Sequence, residues 1–217
     1  MLGGVIFDFD GVIVDSHPAH MKAWKAFFLT KGKRFTDEEL SFVREGAKRE
    51  EILRYFLGDL TPEQVAVYGA EKDKLFQVRA RELQLVRGFA DFLAELDSAG
   101  LPCGVATSGS RARVEQALAA FDLRNRFRAV VTGDEVERGK PDPALFLLAA
   151  QALQIDPSSI LVFEDAVAGV LAAKNAGMKC VGIAASGREL SLQQAGADLV
   201  MNDFAATTLN DLRPLFV

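Results

Sequence analysis

The chain is poor in cysteine, with 2 in 217 residues. Cys103 and Cys180 stand far apart and form no CxxC pair. A disulfide scaffold or zinc ribbon is thereby excluded, and each thiol is expected in or beside a buried strand as a small hydrophobe. No apolar run approaches the ~18 residues of a membrane span. The start, MLGGVIFDFD, lacks a basic region and its apolar run is broken early by acids. No signal peptide is expected, and a cytoplasmic location follows as the default. Positive charge is also in short supply: 25 Lys and Arg against 30 Asp and Glu give a net of −5. That balance argues against nucleic acid as a partner, and without an apolar span no membrane partner is expected. Low-complexity tracts and internal repeats are missing as well.

What is present is ordinary globular material, 49% apolar and 25% charged. A chain of this length buries a sizeable core without staples. The charge is unevenly spread. Residues 16–87 carry 14 Lys/Arg and 11 Asp/Glu, a net of +3, and the remainder carries −8.

Short continuous apolar runs recur at Val5–Phe7, Cys103–Ala106, Ala129–Val131, Ile160–Phe163, Cys180–Ile183 and Leu199–Met201. Unbroken runs of this kind mark strands buried on both faces. Helical periodicity separates them at Phe89–Ala99, Arg113–Phe121, Pro143–Leu153 and Val167–Ala176. Gly100 and Gly177 follow two of these segments as C-cap glycines. Alternation of strand and helix predicts an α/β, Rossmann-like parallel sheet covered on both faces.

Residues 16–87 interrupt the alternation. They offer no convincing strand, and helices are predicted at Ala19–Thr30, Asp37–Val43, Arg49–Leu57 and Pro62–Gln84. Thr61-Pro62-Glu63-Gln64 reads as a helix start with a capping box. The expected division is a core of residues 1–15 and 88–217 with a small all-helical domain, 16–87, inserted after the first strand. Hinges fall near Val14–His17 and Val86–Phe89.

Ligands of an open parallel sheet bind outside the carboxyl ends of its strands. There the sequence places Asp8-Phe9-Asp10-Gly11, then Thr107-Ser108-Gly109-Ser110, then Lys140 in Gly-Lys-Pro-Asp-Pro, then Glu164-Asp165. Asp8, Asp10, Glu164 and Asp165 crowded together would raise one another's pKa, and a hard divalent ion relieves this. Mg²⁺ fits best, because it takes few carboxylates and keeps sites for a phosphate. Thr107 with the amides of Ser108 and Gly109, ahead of a helix, forms an anion seat, and Lys140 adds a point charge. Asp8 is placed to attack phosphorus, with Asp10 as acid and then base. No G-x-G-x-x-G follows the first strand, which argues against a dinucleotide oxidoreductase. A receiver-type binding module shares the acids and lysine but is shorter and has no insert after its first strand.

With these motifs in order, the chain resembles the haloacid dehalogenase superfamily, in particular its β-phosphoglucomutase-like subgroup with a helical cap. The resemblance implies Asp8 as nucleophile and Asp10 as acid/base. It implies Thr107 and Lys140 on the transferring phosphoryl. It assigns the metal to Asp8, the Asp10 carbonyl and Asp165, with Glu164 behind the metal's waters. Asp10 itself argues for phosphoryl rather than halide chemistry. In the cap, His20, Arg49 and Lys72 resemble the subgroup's sugar-holding residues, with Lys74 as the alternative to Lys72. Ser16, Ala23-Trp24-Lys25-Ala26 and the stretch Gly46–Glu50 match neighbouring cap positions. The loop after Thr107 departs from the mutase pattern, and Arg111 is the candidate to replace a contact to a second phosphate. The implied activity is Mg²⁺-dependent hydrolysis of a small anionic sugar or polyol phosphate by a monomer or small homo-oligomer. The alternative is a sugar phosphomutase. A metal pair at His17 and His20 lacks a third ligand.

Overall fold

The computed structural model describes residues 1–44, 47–78, 83–184 and 187–216. The chain opens with β1 (Gly4–Phe7) and β2 (Val14–Asp15). Three helices follow, α1 (His17–Thr30), α2 (Arg49–Leu57) and α3 (Pro62–Gln77), and then β3 (Gln84–Leu85). Regular alternation comes next, with α4 (Phe89–Ser98), β4 (Cys103–Thr107), α5 (Arg111–Ala120) and β5 (Ala129–Thr132). It continues through α6 (Ala144–Leu153), β6 (Ile160–Glu164), α7 (Val167–Asn175) and β7 (Lys179–Ile183). The last elements are α8 (Glu189–Gln194), β8 (Leu199–Met201) and α9 (Leu209–Leu212).

Six strands form one parallel sheet in the order β5-β4-β1-β6-β7-β8. All six predicted strands are present. Side chains alternate across β1 as the period of two requires. Val5 and Phe7 join a core with Phe89, Phe92, Leu96, Val114 and Leu118, while Ile6 joins another with Phe146, Ala149, Val170 and Ala173. Helices α4 and α5 thus cover one face and α6 and α7 the other, which is why the strand runs are apolar throughout. Phe7 alone stacks on Phe163 at 5.1 Å and meets Phe89 edge-on at 5.2 Å. Full burial of such a ring contributes about 1.5–3 kcal/mol. The sheet order turns at β1, whose neighbours are β4 and β6. That is the switch point where an open α/β sheet leaves a crevice.

Trp24, Phe27 and Phe28 of α1, Leu40 of the turn that follows, and Ile52 and Leu53 of α2 build a further core, while Ala19, Ala23 and Phe76 join the core of Phe7. Arg49–Leu57 is helical over the predicted range. At α3, Thr61 Oγ1 accepts from Gln64 N and the Gln64 side chain accepts from Thr61 N, as its capping box foretold. Two other expectations for this segment are corrected. Asp37–Val43 is not an α-helix; the chain turns there and then makes a 3₁₀ turn at Ser41–Arg44. Leu40 alone among residues 36–43 is buried, too little to support an amphipathic helix. Helix α3 ends at Gln77 rather than Gln84, and Gln84–Leu85 instead pairs antiparallel with Val14–Asp15. Arg79–Glu82 of the expected helix lie outside the described residues, as does Gly46. The two-residue ladder ties together the points where the chain leaves the sheet and returns. Among the described residues, no helix is long and apolar enough to cross a membrane.

Candidate active site

Strand β1 ends at Phe7, and the next residue, Asp8, is delivered to the switch point. Its amide donates to Phe163 O at 2.9 Å, extending the β1–β6 ladder by one bond. Gly11 has φ +78°, and a Cβ there would press on Asp165 Oδ2 at 2.5 Å. Glycine therefore lets the chain bend back beneath the acids. Asp8, Asp10, Thr107, Ser108, Gly109, Lys140, Glu164 and Asp165 all line one cavity of about 340 Å³. The four strand-end motifs legible in the sequence are thus brought together.

Lys140 is the hub. Its Nζ donates to Asp8 Oδ1 and to Glu164 Oε1, each at 2.6 Å, with all three groups buried. Burial would lower the Lys140 pKa, but Asp8 and Glu164 overcome this and raise it above the ordinary lysine value. Burial pushes the Asp8 carboxyl well up; Lys140 opposes the shift, and the charges of Glu164, Asp165 and Asp10 add to it. Glu164 Oε2 also accepts from Ala166 N at 2.7 Å. A Cβ at Gly169 would overlap the Glu164 carboxyl, so that glycine makes its room. Thr107 is buried, and its Oγ1 accepts from Gly109 N at 3.1 Å, folding the loop at the foot of α5.

Among the described residues, no three His, Cys, Asp or Glu side chains are grouped to hold a metal ion. The expected ligand side chains are turned instead to basic side chains of the protein. Asp8 and Glu164 face Lys140, Asp10 faces Arg113, and Asp165 Oδ2 lies 2.6 Å from His17 Nε2. The donor set is nevertheless that of a hard divalent ion. Four carboxylates line the one cavity, and burial with carboxylate crowding drives Asp8 towards protonation against the pull of Lys140.

The wall opposite is formed by α1–α3. His20, Arg49 and Lys72 all line the same cavity. Lys72, which composition alone would leave in solvent, is 4% exposed, whereas Lys74 is exposed. Lys72 Nζ donates to His20 Nδ1 at 2.9 Å, and His20 Nε2 lies 3.3 Å from Asp10 Oδ1. With Nδ1 facing the amine, the ring proton is assigned to Nε2, aimed at Asp10. Burial, with Lys72 alongside, lowers the His20 pKa to about 3, so the imidazole is neutral. Burial and Arg113 lower Lys72 to about 7. Arg49 Nη1 donates to Asp73 Oδ2 at 2.6 Å. Lys48 Nζ reaches across to the carbonyls of Val136, at 2.7 Å, and Glu137, at 3.3 Å, clasping the helical segment to the sheet domain.

Arg111, the candidate contact to a second phosphate, is not among the residues that line the cavity. Arg111 is engaged by Glu115, Glu135 and the Val130 carbonyl on the outer side of α5. The arginine of α5 that lines the cavity is Arg113, whose guanidinium grips both oxygens of Asp10, Nη1 to Oδ1 at 2.8 Å and Nη2 to Oδ2 at 2.5 Å. Ser16 Oγ donates to Asp10 Oδ1 at 2.5 Å as well. Burial favours protonation of Asp10, yet Arg113 and His20 bring its pKa well below the ordinary value. Asp73 is a further cavity residue that no motif marked, and Lys48, within the stretch Gly46–Glu50, lines the cavity as well.

The Haloacid dehalogenase-like hydrolase family profile matches residues 5–183. The chain belongs to this family of hydrolases. Among its relatives is validoxylamine A 7'-phosphate phosphatase of Streptomyces hygroscopicus subsp. limoneus. It is 36% identical over 204 residues, which are 91% of this chain and 92% of the relative. Beta-phosphoglucomutase of Bacillus subtilis (strain 168) is 33% identical over 224 residues, 94% of this chain and 91% of the relative. Among solved structures, CbbY from Rhodobacter sphaeroides in complex with phosphate superposes with a TM-score of 0.86 at 29% identity. That match covers 98% of this chain and 100% of CbbY. The hydrolase fold and the phosphoryl-transfer chemistry of the family therefore agree with the site just described.

Proposed function

We propose that this haloacid dehalogenase-like hydrolase removes phosphate from small sugar or polyol monophosphates with the aid of Mg²⁺, carrying the phosphoryl group on Asp8. The observation that carries the reading is the meeting of Asp8, Asp10, Thr107 and Lys140 in one cavity whose far wall is lined by His20, Arg49 and Lys72. An Asp8 carboxylate oxygen attacks phosphorus and the bond from phosphorus to the alcohol oxygen breaks; Asp10, held ionised by Arg113 and His20 in the structure as it stands, takes up a proton as the anionic phosphate enters and gives it to that oxygen. Water then attacks phosphorus of the acyl phosphate, Asp10 takes the proton, and the Asp8–phosphorus bond breaks to release inorganic phosphate. Thr107, the Ser108 and Gly109 amides and Lys140 hold the transferring group. Asp8, Asp165 and the Asp10 main-chain carbonyl, backed by Glu164, would hold the Mg²⁺. That ion supplies positive charge for the phosphoryl oxygens when bound.

Residues 16–87 act in this reading as a cap on the core of 1–15 and 88–217, hinged at β2 and β3, and His20, Arg49 and Lys72 address the alcohol portion of the substrate. Its closure excludes water until the acyl phosphate has formed. A second reading, phosphoryl transfer to another sugar hydroxyl, is favoured by the beta-phosphoglucomutase relative and by the chain Lys72–His20–Asp10.

The test is a phosphate-release screen over sugar, polyol and nucleotide monophosphates with Mg²⁺. In parallel, β-glucose 1-phosphate with a bisphosphate activator is followed by phosphorus NMR. Free phosphate from sugar or polyol esters is expected. Isomerisation without free phosphate would replace the first reading by the second, and turnover of nucleotides alone would overturn the substrate class.

A further inference from the structure

The Asp10 carboxylate is held from three directions. Ser16 belongs to the hinge, His20 to α1, and Arg113 to α5 of the sheet domain. Two of the three would therefore travel with the helical segment. Arg113 alone is fixed to the sheet side, and it alone engages both carboxylate oxygens. A bidentate guanidinium fork fixes the plane of a carboxylate as well as its position, which a single hydroxyl or ring nitrogen does not.

Arg113 is itself held rigidly. Its side chain is 9% exposed. The guanidinium carbon lies 5.7 Å from the centroid of the Phe9 ring and 5.4 Å from that of Phe76. Phe9 follows β1 and Phe76 lies on α3, so the guanidinium spans the seam between the two parts of the molecule. A Cβ at Gly109 would overlap it, so the phosphate-seat loop also leaves it room. The neighbouring arginine, Arg111, is committed to Glu115 and Glu135 on the outer side of α5 and is not available as a substitute.

We propose that Arg113 is a positioning residue that keeps the Asp10 carboxylate aimed into the cavity from the core side while the helical segment moves. The inference rests on the reading of Asp10 as the acid/base. No direct contact between Arg113 and substrate is required. If Arg113 acts through Asp10, its removal impairs the steps in which Asp10 moves a proton and spares a step in which no proton is needed.

The leaving group separates those steps. An alkoxide needs a proton as it departs, whereas p-nitrophenolate does not. Arg113→Gln and Arg113→Lys are prepared in the full chain and assayed with Mg²⁺. The substrates are p-nitrophenyl phosphate and the alkyl monophosphate turned over fastest in the screen above. For Arg113→Gln, kcat/KM for the alkyl ester is expected to fall about 100-fold, the lower range of general acid catalysis. For p-nitrophenyl phosphate it is expected to fall less than about 5-fold, because kcat/KM reports only formation of the acyl phosphate. The kcat values fall for both esters, since breakdown of the acyl phosphate needs Asp10 as base. Arg113→Lys, which keeps the charge but loses the fork, falls between.

Equal losses of kcat/KM on both esters would show a structural role and overturn the proposal. A rise in KM on the alkyl ester with kcat retained would make Arg113 a substrate-binding residue and overturn it equally. Circular dichroism melts accompany each variant; if Arg113→Gln does not fold, the same leaving-group contrast is read from Arg113→Lys. A wild-type protein inactive on every phosphomonoester would instead refute the proposed function itself.

Discussion

Asp8→Asn is expected to fold and to have lost at least about 10⁴-fold in phosphate release, as removal of a nucleophile does elsewhere. Asparagine preserves the shape at the end of β1 and still accepts from Lys140 Nζ, but its amide does not attack phosphorus. Stability argues for a folded variant too. Burial raises the Asp8 pKa well above the ordinary value, with Lys140 opposing and three carboxylates reinforcing. For an acid whose folded pKa lies above its unfolded one, the folded state binds more protons between the two values. Stability therefore falls as pH rises through that window. The metal-free wild type carries this cost at neutral pH, and Asp8→Asn does not. Lys140 keeps Glu164 as a charged partner. Without divalent ions at pH 7, the variant should melt at or above the wild-type temperature. A variant that folds and retains turnover would refute Asp8 as the nucleophile.

Lys140→Met is expected to lose both activity and stability. The methionine fills much of the lysine volume and keeps contact near Phe146, whose ring centroid lies 5.0 Å from Nζ. It leaves Asp8 and Glu164 buried and facing each other without their shared cation. Breaking a buried ion pair on one side costs about 3–5 kcal/mol. The loss has a definite pH dependence. Both carboxyls already have raised pKa values, Glu164 through burial first and through Asp165 besides, and removal of Lys140 takes away what lowers them. Their folded-state pKa values rise further, so the variant should be most stable in mild acid and weaken as pH increases through those values. Urea melts at pH 5 and pH 8 measure the difference. Added Mg²⁺ should recover part of the stability at pH 8. Phosphate release should fall about 10²–10³-fold, the scale of losing one preorganised donor to a developing oxyanion. Equal stability of variant and wild type at pH 8 would contradict the hub role of Lys140.

The sheet and the strand-end motifs were readable because burial on both faces leaves an unmistakable composition. Ile160–Phe163, for example, has no polar interruption before Glu164-Asp165. Each chemically useful residue follows such a run directly, so its place at one sheet edge follows from the parallel order. The two-residue strands β2 and β3 escaped because four residues carry no periodic signal, and their pairing is dictated by the return of the chain. Lys72 became legible only by resemblance, since nothing in its neighbours reveals that His20 and Phe76 pack around it. Arg113 gave no sign. Arg111 and Arg113 look alike in sequence, and only the phase of α5 turns one towards Glu115 and the other towards Asp10. Gly109, which makes space for the guanidinium, is marked in the sequence only as part of the phosphate loop. His17, considered beside His20 as a metal pair, instead meets Asp165.

The central claim is a phosphoryl group carried on Asp8, and borohydride trapping during turnover tests it most directly. Reduction of an aspartyl phosphate converts that residue to homoserine, which mass spectrometry of the N-terminal peptide locates. The account predicts homoserine at position 8 when Mg²⁺ and a turned-over phosphomonoester are both present, and none in Asp8→Asn. Modification of a different residue, or rapid single-turnover phosphate release with position 8 unmodified throughout, would contradict it.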